Sequence, residues 1–253
     1  METFDATVMK KGAREKTSRG VSEEISLIIE VNGNELVASL ASPGDLENLV
    51  YGFLYNSGFI GKPSDVKSLI IDRDRWKAAA KLAAEGLTSD VPFKRIHASA
   101  GKGIIFQDPL DAAQVRMSDG FTVNHKKIEE FIGTFQTASS EHKETRGVHS
   151  GALADGNEIL IFRDDIGRHN AIDKVIGEAL RLGIGFDDKM IITSGRVTSE
   201  ILTKVLRCRI PIIVAAGAPT NQAVKLARSV NLSVVGLARE DIMYIFSGEE
   251  RIV

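Results

Sequence analysis

Residues 163–177 read RDDIGRHNAIDKVIG, and they crowd chemistry into a few positions. An apolar strand, Ile159 to Phe162, gives way to two carboxylates, Asp164 and Asp165, then to Gly167, Arg168 and His169. A helix start offers unpaired backbone N–H groups and a positive dipole end, so such a junction suits an anion. Two other loops share the pattern. One is Ser194-Gly195-Arg196, with Thr198, Ser199 and Glu200 opening a helix. The other is Ala216-Gly217-Ala218-Pro219-Thr220-Asn221, where Pro219 suits a first helical turn. Amides and guanidinium groups together pair well with phosphate oxygens, so the three loops read as a site for a phosphate-bearing ligand. The same residues also read as ordinary turn chemistry and as a helix N-terminus with an internal ion pair.

The elements that position these loops follow from periodicity. After His169, the residues Ile172, Val175, Ile176, Ala179 and Leu180 form one apolar stripe. From Val148 the chain pairs two strands, 148–154 and 158–162, about Asp155-Gly156-Asn157. It then alternates: helix 169–182, strand 189–193, helix 198–208, strand 211–215, helix 219–230, strand 232–238, and a last strand 242–246. That alternation predicts parallel strands with helices across both faces, whose carboxyl-end loops share one edge where ligands bind. The first half differs. Runs 24–31 and 35–41 flank Asn32-Gly33, a hairpin signal. Ser42 is expected to cap a helix with Pro43 at its first position, and Leu46, Leu49, Val50, Phe53 and Leu54 point inward. A strand is expected at 66–71, while 76–87 fits either helix or strand. Asn124 caps a helix that buries Ile128, Phe131, Ile132 and Phe135, and a flexible loop is expected over 137–146. The basic segment 10–20, KKGAREKTSRG, reads as a solvated, disordered arm, or as a contact for an acidic partner.

Composition narrows the class. With 43% hydrophobic residues the chain fills a real core, and a net charge of −2 gives no general attraction to nucleic acid or anionic membrane. A single cysteine, Cys208, excludes an internal disulfide, a cysteine-rich zinc site and a CxxC pair. It stands between Arg207 and Arg209, cations that would lower its pKa, but it reads better as a small buried residue against Ile210. No signal-peptide pattern opens the sequence. Its longest apolar run, 210–216, is too short to span a bilayer, so a cytoplasmic protein is expected.

Competing motifs fail on their spacing. Ala98-Ser99-Ala100-Gly101-Lys102-Gly103 superficially resembles a phosphate loop, but Ile96 stands where a Walker glycine belongs and Gly103 where Ser or Thr belongs. His142-Lys143-Glu144 gives an HxE triplet without the PCxxC that a zinc deaminase needs, so no metal is expected. His97, His125 and His142 read as surface or structural. There is no GxSxG and no HExxH.

The segment 163–177 resembles the FdhD/NarQ family of formate dehydrogenase accessory proteins, where it runs much like (E/D)DVGRHNAVDKVIG. The likeness continues in Val31-Asn32-Gly33, Pro43-Gly44-Asp45-Leu46, Gly52-Phe53-Leu54, Gly147-Val148-His149, Ser194-Gly195-Arg196 with Ser199-Glu200, and Ala218-Pro219-Thr220. The resemblance implies a cytoplasmic homodimer of α/β class. A smaller N-terminal α+β domain, residues 1–118, would carry the basic arm and the loop 98–111. A cytidine-deaminase-like, three-layer α/β/α domain would span 119–253, with the boundary near 112–124. It also implies sulfurtransferase activity: sulfur passes from a cysteine desulfurase to the molybdenum bis-guanine-dinucleotide cofactor of formate dehydrogenase. That cofactor is substrate or cargo, and no nucleic acid or membrane partner is implied.

Carried onto this sequence, cofactor binding falls to Arg168, His169, Ser194, Gly195, Arg196, Pro219 and Thr220. Asp165 and Asp173 are placed to orient them. The family's C-terminal segment, much like FNVYTGEER, corresponds to Ile242, Met243, Tyr244, Ile245, Phe246 and Ser247, a looser match. One departure is chemical. Family members carry their persulfide on a cysteine in a CGxCG or CGxG loop, and here that position is Ala100 in Ala100-Gly101-Lys102-Gly103. A methyl group holds no persulfide. The sequence therefore leaves two readings, a sulfurtransferase and a chaperone that binds the cofactor without the chemistry.

Overall fold

The computed structural model describes residues 1–83, 96–98, 116–117 and 120–253, and its described strands form three sheets. The first is a ribbon of β1 (Glu2–Lys10) and β2 (Ala13–Val21), antiparallel throughout. The second has the order β5-β6-β3-β4-β7, from β3 (Ile25–Val31), β4 (Asn34–Ala41), β5 (Val66–Asp72), β6 (Lys77–Leu82) and β7 (Ile96–Ala98). Asn32 and Gly33 turn between β3 and β4 at φ 49° and 86°, the left-handed pair that a tight hairpin needs. Over this sheet lies α1 (Leu46–Asn56), which buries Leu46, Leu49, Val50, Phe53 and Leu54 against Leu27, Ile29, Val37 and Ala80.

The third sheet positions the predicted loops. It comprises β8 (His149–Ala154), β9 (Ile159–Asp165), β10 (Met190–Thr193), β11 (Ile212–Ala215), β12 (Ser233–Gly236) and β13 (Tyr244–Ser247), in the order β13-β12-β11-β10-β8-β9. Alternation along the strands divides two cores. Leu153, Ile191, Ile213 and Val234 face α4 (Arg168–Leu182), α5 (Ser199–Arg207) and α6 (Asn221–Ser229). Ala152, Ile192, Val214 and Val235 face α2 (His125–Ala138), whose Ile128, Phe131, Ile132 and Phe135 are buried as expected. The parallel strands are β10, β11 and β12, and β9 runs with them because two antiparallel steps separate it from β10. Their carboxyl ends share one edge, and β8 begins there.

Several expectations need correction. The sheet is mixed: the expected hairpin pairs β8 antiparallel with β9, β8 also runs against β10, and β13 runs against β12. The segment 10–20 is ordered ribbon; Lys11 and Gly12, at φ 51° and 84°, close it as a tight hairpin. Residues 77–82 are strand, because β6 pairs with both β3 and β5. Ser42 does not cap α1, whose first residue follows Asp45 at φ 53°; its hydroxyl instead accepts from Ile166 N at 3.1 Å. The run 137–146 contains a short helix, α3 (Ser140–Thr145), capped by the Ser139 side chain. The loop 98–111 beyond Ala98, including Ala100, lies outside the described residues, as do 112–115, 118 and 119 of the expected boundary region.

The two large halves meet where α1 crosses α4. Gly52 and Gly177 let the backbones touch: a Cβ on Gly177 would strike Asn48 O and lie 2.6 Å from Gly52 N, and one on Gly52 would strike Asp173 O. Backbone cannot step aside as a side chain end can. Gly177→Ala is therefore expected to destabilise by about 3 kcal/mol, lowering the melting temperature by roughly 6–12 °C in a chain of this size. An unchanged calorimetric melt would show that the crossing has slack.

Candidate functional site

Glycines pack the three loops together at the carboxyl edge of the six-stranded sheet. A Cβ on Gly217 would lie 2.5 Å from Gly195 O and 2.8 Å from Arg196 N, and one on Gly195 would lie 3.0 Å from the Arg168 side chain. Backbone bonds lock the contact: Val197 N donates to Ala218 O, Thr220 N to Val197 O, and Ala216 N to Thr193 O, at 2.9–3.2 Å. Arg168, His169, Ser194, Gly195, Arg196, Pro219 and Thr220 thus come to one place. Two details differ from the sequence reading. Pro219 precedes α6 instead of starting it, and Thr220 is its cap, the hydroxyl accepting from Ala223 N at 3.3 Å. That hydroxyl keeps its own proton to donate.

Beside these loops opens a cavity of about 510 Å³, within the range of small-molecule sites. Ser194 is the predicted residue on its wall. His142, Arg146, His149 and Arg239 also line it, and none of these four was given a binding role from sequence. His149 starts β8, so it faces the ends of β9 and β10; its Nδ1 lies 3.2 Å from Ser194 Oγ, which also accepts from Ser150 N at 2.9 Å. His142 Nδ1 meets Val148 O at 2.9 Å, so the residue read as surface or structural is a wall of the cavity. Arg239 donates to Ala216 O and Ala238 O at 2.9 and 2.7 Å, and is thereby held against the third loop. The one sequence signal for His149 was its place in Gly147-Val148-His149; Arg146 and Arg239 stand in no motif.

The edge is electropositive. Burial lowers the pKa of His149, and Arg168, His142 and Arg196 lower it further against Asp165, which raises it. Arg168 is itself pushed down by burial and by Arg196. Beneath the loop, Asp165 Oδ1 accepts from Gly167 N at 2.8 Å, which fixes the peptide before Arg168. Asp173 points elsewhere, to Lys204 Nζ at 2.5 Å and Asn56 Nδ2 at 2.6 Å, and ties α4 to α5 and α1.

The C-terminal segment stands apart from the cavity. β13 is an edge strand on which Tyr244 and Ile245 are exposed and Ser247 is buried, and Ile242, two residues ahead of it, is exposed. Met243 packs on the α2 side, and Phe246 lies with Pro219 against Gly236. None of the six lines the cavity. Among the described residues, no group of three or more His, Cys, Asp or Glu is placed to hold a metal ion, and no helix is long and apolar enough to cross a membrane.

His169 is buried beneath Arg168, and its ring nitrogens have no hydrogen-bond partner among the described residues. Nε2 lies 3.2 Å from Glu200 Oε2, but that carboxylate is partly in water. Burial therefore prevails and, with Lys204, Arg168 and His149 adding to it, lowers the pKa to about 3. An unfolded histidine titrates near 6.5, so the unfolded chain binds the proton first as pH falls. Stability from this residue is full above pH 6.5 and is lost as pH falls toward 3, at a limiting slope of about 1.4 kcal/mol per pH unit. His169→Asn should remove that slope in urea midpoints measured from pH 7 to 4. Parallel curves for the two proteins would contradict the assignment.

A sequence profile of the FdhD/NarQ family matches residues 22–253. A "Sulfur carrier protein FdhD" of Staphylococcus haemolyticus is 37% identical over 246 residues, covering 96% of this chain and 93% of that protein. The protein of the same name from Staphylococcus aureus (strain MRSA252) is 39% identical over 233 residues, covering 91% and 88%. The crystal structure of a protein from Desulfotalea psychrophila, described as a formate dehydrogenase accessory protein, superimposes with a TM-score of 0.80. It covers 100% of this chain and 99% of its own at 23% identity, which establishes the shared fold. With the GRHN and SGR loops joined at one edge and the match spanning nearly the whole chain, the protein belongs to the FdhD/NarQ family.

Proposed function

We propose that the chain is a formate dehydrogenase accessory protein that holds the molybdenum bis-guanine-dinucleotide cofactor, its cargo, by a phosphate-bearing end at the carboxyl edge of the six-stranded sheet. The observation that carries this reading is the cavity where Arg146, Arg239, His142 and His149 meet the glycine-packed loops of Ser194 and Ala216. The guanidinium groups of Arg146 and Arg239 and two imidazoles line a space within the range of small-molecule sites. The expected cytoplasmic location, homodimer and cytidine-deaminase-like kinship of the second domain belong to the same reading. So does the domain division 1–118 and 119–253.

The chemistry divides at sulfur. Relatives named sulfur carriers favour transfer from a cysteine desulfurase to the cofactor. The thiol inventory of this chain favours holding without transfer. Its sole cysteine, Cys208, is 4% exposed within the core under α4, α5 and α6. Burial pushes its pKa far up, beyond what Arg207 and Lys204 offset. A thiol that does not ionise does not attack a persulfide, and the family's carrier position is Ala100. The geometry therefore supports a cofactor-holding protein that handles no sulfur of its own.

Two measurements decide these points. Arg196→Ala and Arg239→Ala should each weaken GDP binding in calorimetry by about 1.5–3 kcal/mol, the scale of a charged hydrogen bond left unmade. Equal binding by wild type and both variants would refute the placement. After incubation with a cysteine desulfurase and cysteine, intact mass should show no 32 Da adduct on the parent chain and one adduct on Ala100→Cys. An adduct on the parent would make Cys208 the carrier and restore the transferase reading.

A further inference from the structure

The ribbon β1–β2 is unlike the rest of the fold. It stands as its own two-stranded sheet, it precedes the residues matched by the family profile, and its side chains are mostly exposed. An isolated two-stranded hairpin is marginally stable in water and needs a third strand or a packed helix. One side is supplied. β2 rests on α3, where Arg19 donates to Glu144 O at 3.1 Å and Gly20 lies against the Glu144 side chain. The outer edge of β1 pairs with no strand among the described residues. Phe4 and Val8 share one face of β1 and are 49% and 40% exposed, an open and partly apolar edge of the kind that recruits another strand.

We infer that this edge pairs antiparallel with β1 of a second copy of this chain, across a two-fold axis at Ala6, to make one four-stranded sheet. The strand is self-complementary in that register alone. With Ala6 opposite the partner's Ala6, Phe4 faces the partner's Val8 and Glu2 faces the partner's Lys10, each contact occurring twice, as an isologous interface requires. Small residues lie at the axis, apolar pairs flank them, and opposite charges close both ends. The orientation is also set by charge. The ribbon tip carries Lys10, Lys11, Arg14 and Lys16 against Glu15 alone, and its base carries Glu2, Asp5, Glu23 and Glu24 against Arg19 and the Met1 amino group, which pairs with Glu23. Antiparallel pairing sets each tip near the other's base, whereas parallel pairing would stack like charges. The inference does not depend on what the cavity binds, and it assigns a surface to the homodimer that the family resemblance implies.

The full chain tests it, because its native cysteine is buried and leaves an introduced thiol as the reactive one. Antiparallel neighbours stand about 4.5–5.5 Å apart at Cα, inside the range that a disulfide spans. Ala6→Cys should therefore become a disulfide-linked dimer under mild oxidation, while Thr3→Cys, which faces the partner's Met9, should cross-link far less. In sedimentation equilibrium, Phe4→Glu should raise the dimer dissociation constant roughly tenfold or more, with the thermal melt unchanged. Lys10→Glu should weaken the dimer severalfold, and adding Glu2→Lys to the same chain should recover it. A monomeric wild type at tens of micromolar would overturn the inference. So would a dimer that neither cross-links through Ala6→Cys nor weakens with Phe4→Glu, since its interface would then lie elsewhere, or equal cross-linking at Thr3→Cys, which would refute the register.

Discussion

The fold turns on one buried carboxylate. Asp165 is 0% exposed, at the end of β9, and four donors surround it. Lys174 Nζ and Ser42 N reach Oδ2 at 2.8 and 3.0 Å; Gly167 N and Asn170 Nδ2 reach Oδ1 at 2.8 and 2.9 Å. A charge so placed is tolerable only when its lone pairs are met, and removing one partner typically costs about 3–5 kcal/mol. Its donors come from both large sheets' neighbourhoods: Ser42 follows β4, Gly167 and Asn170 open α4, and Lys174 lies one turn further along it. The carboxylate thus fixes the loop of Arg168 and the seam between the halves together. Asp164, one residue earlier on a strand, points to the opposite face. There it accepts from Ser150 Oγ at 2.5 Å and Ser139 Oγ at 2.6 Å, and so anchors α3, a wall of the cavity. Two adjacent acids brace the site from either side.

What the sequence disclosed depended on how far each cause reached along the chain. The stripe Ile172, Val175, Ile176 and Ala179 declares α4 because its causes lie within a few turns. Asn32-Gly33 declares its hairpin for the same reason. The shared edge of the three loops was also legible, since alternating helices and strands impose it. Ser42 was misread because a serine before a proline looks like a cap, while its actual partner, Ile166, stands 124 residues away. Arg146 and Arg239 reach the cavity from segments without a motif, so only the folded chain brings them in. The ribbon was misread as disordered because five basic residues between 10 and 19 outweighed the alternation of its strands.

Cys208 shows the same division between local and distant causes. Its sequence neighbours, two arginines, promise an acidic thiol. In three dimensions its surroundings are Val205, Ile210 and the core under α5, and Asn56 Oδ1 is 4.0 Å from its sulfur. Desolvation outweighs the flanking charges, whereas at His169 the neighbouring cations act with it. The two residues differ in use: the thiol is closed within the core, while the imidazole lies beneath an arginine at the site itself.

The contact between Gly52 and Gly177 has an evolutionary consequence. At most crowded positions an enlarged residue can be accommodated by trimming a neighbour, so paired substitutions open a path through sequence space. Here the obstacles are peptide atoms of the facing helix, Asn48 O, Gly52 N and Asp173 O, which every amino acid carries. No second-site change shortens a peptide. The halves of the chain can vary elsewhere, but at this crossing neither helix can drift independently, and suppressors of a substitution there would have to move a whole helix.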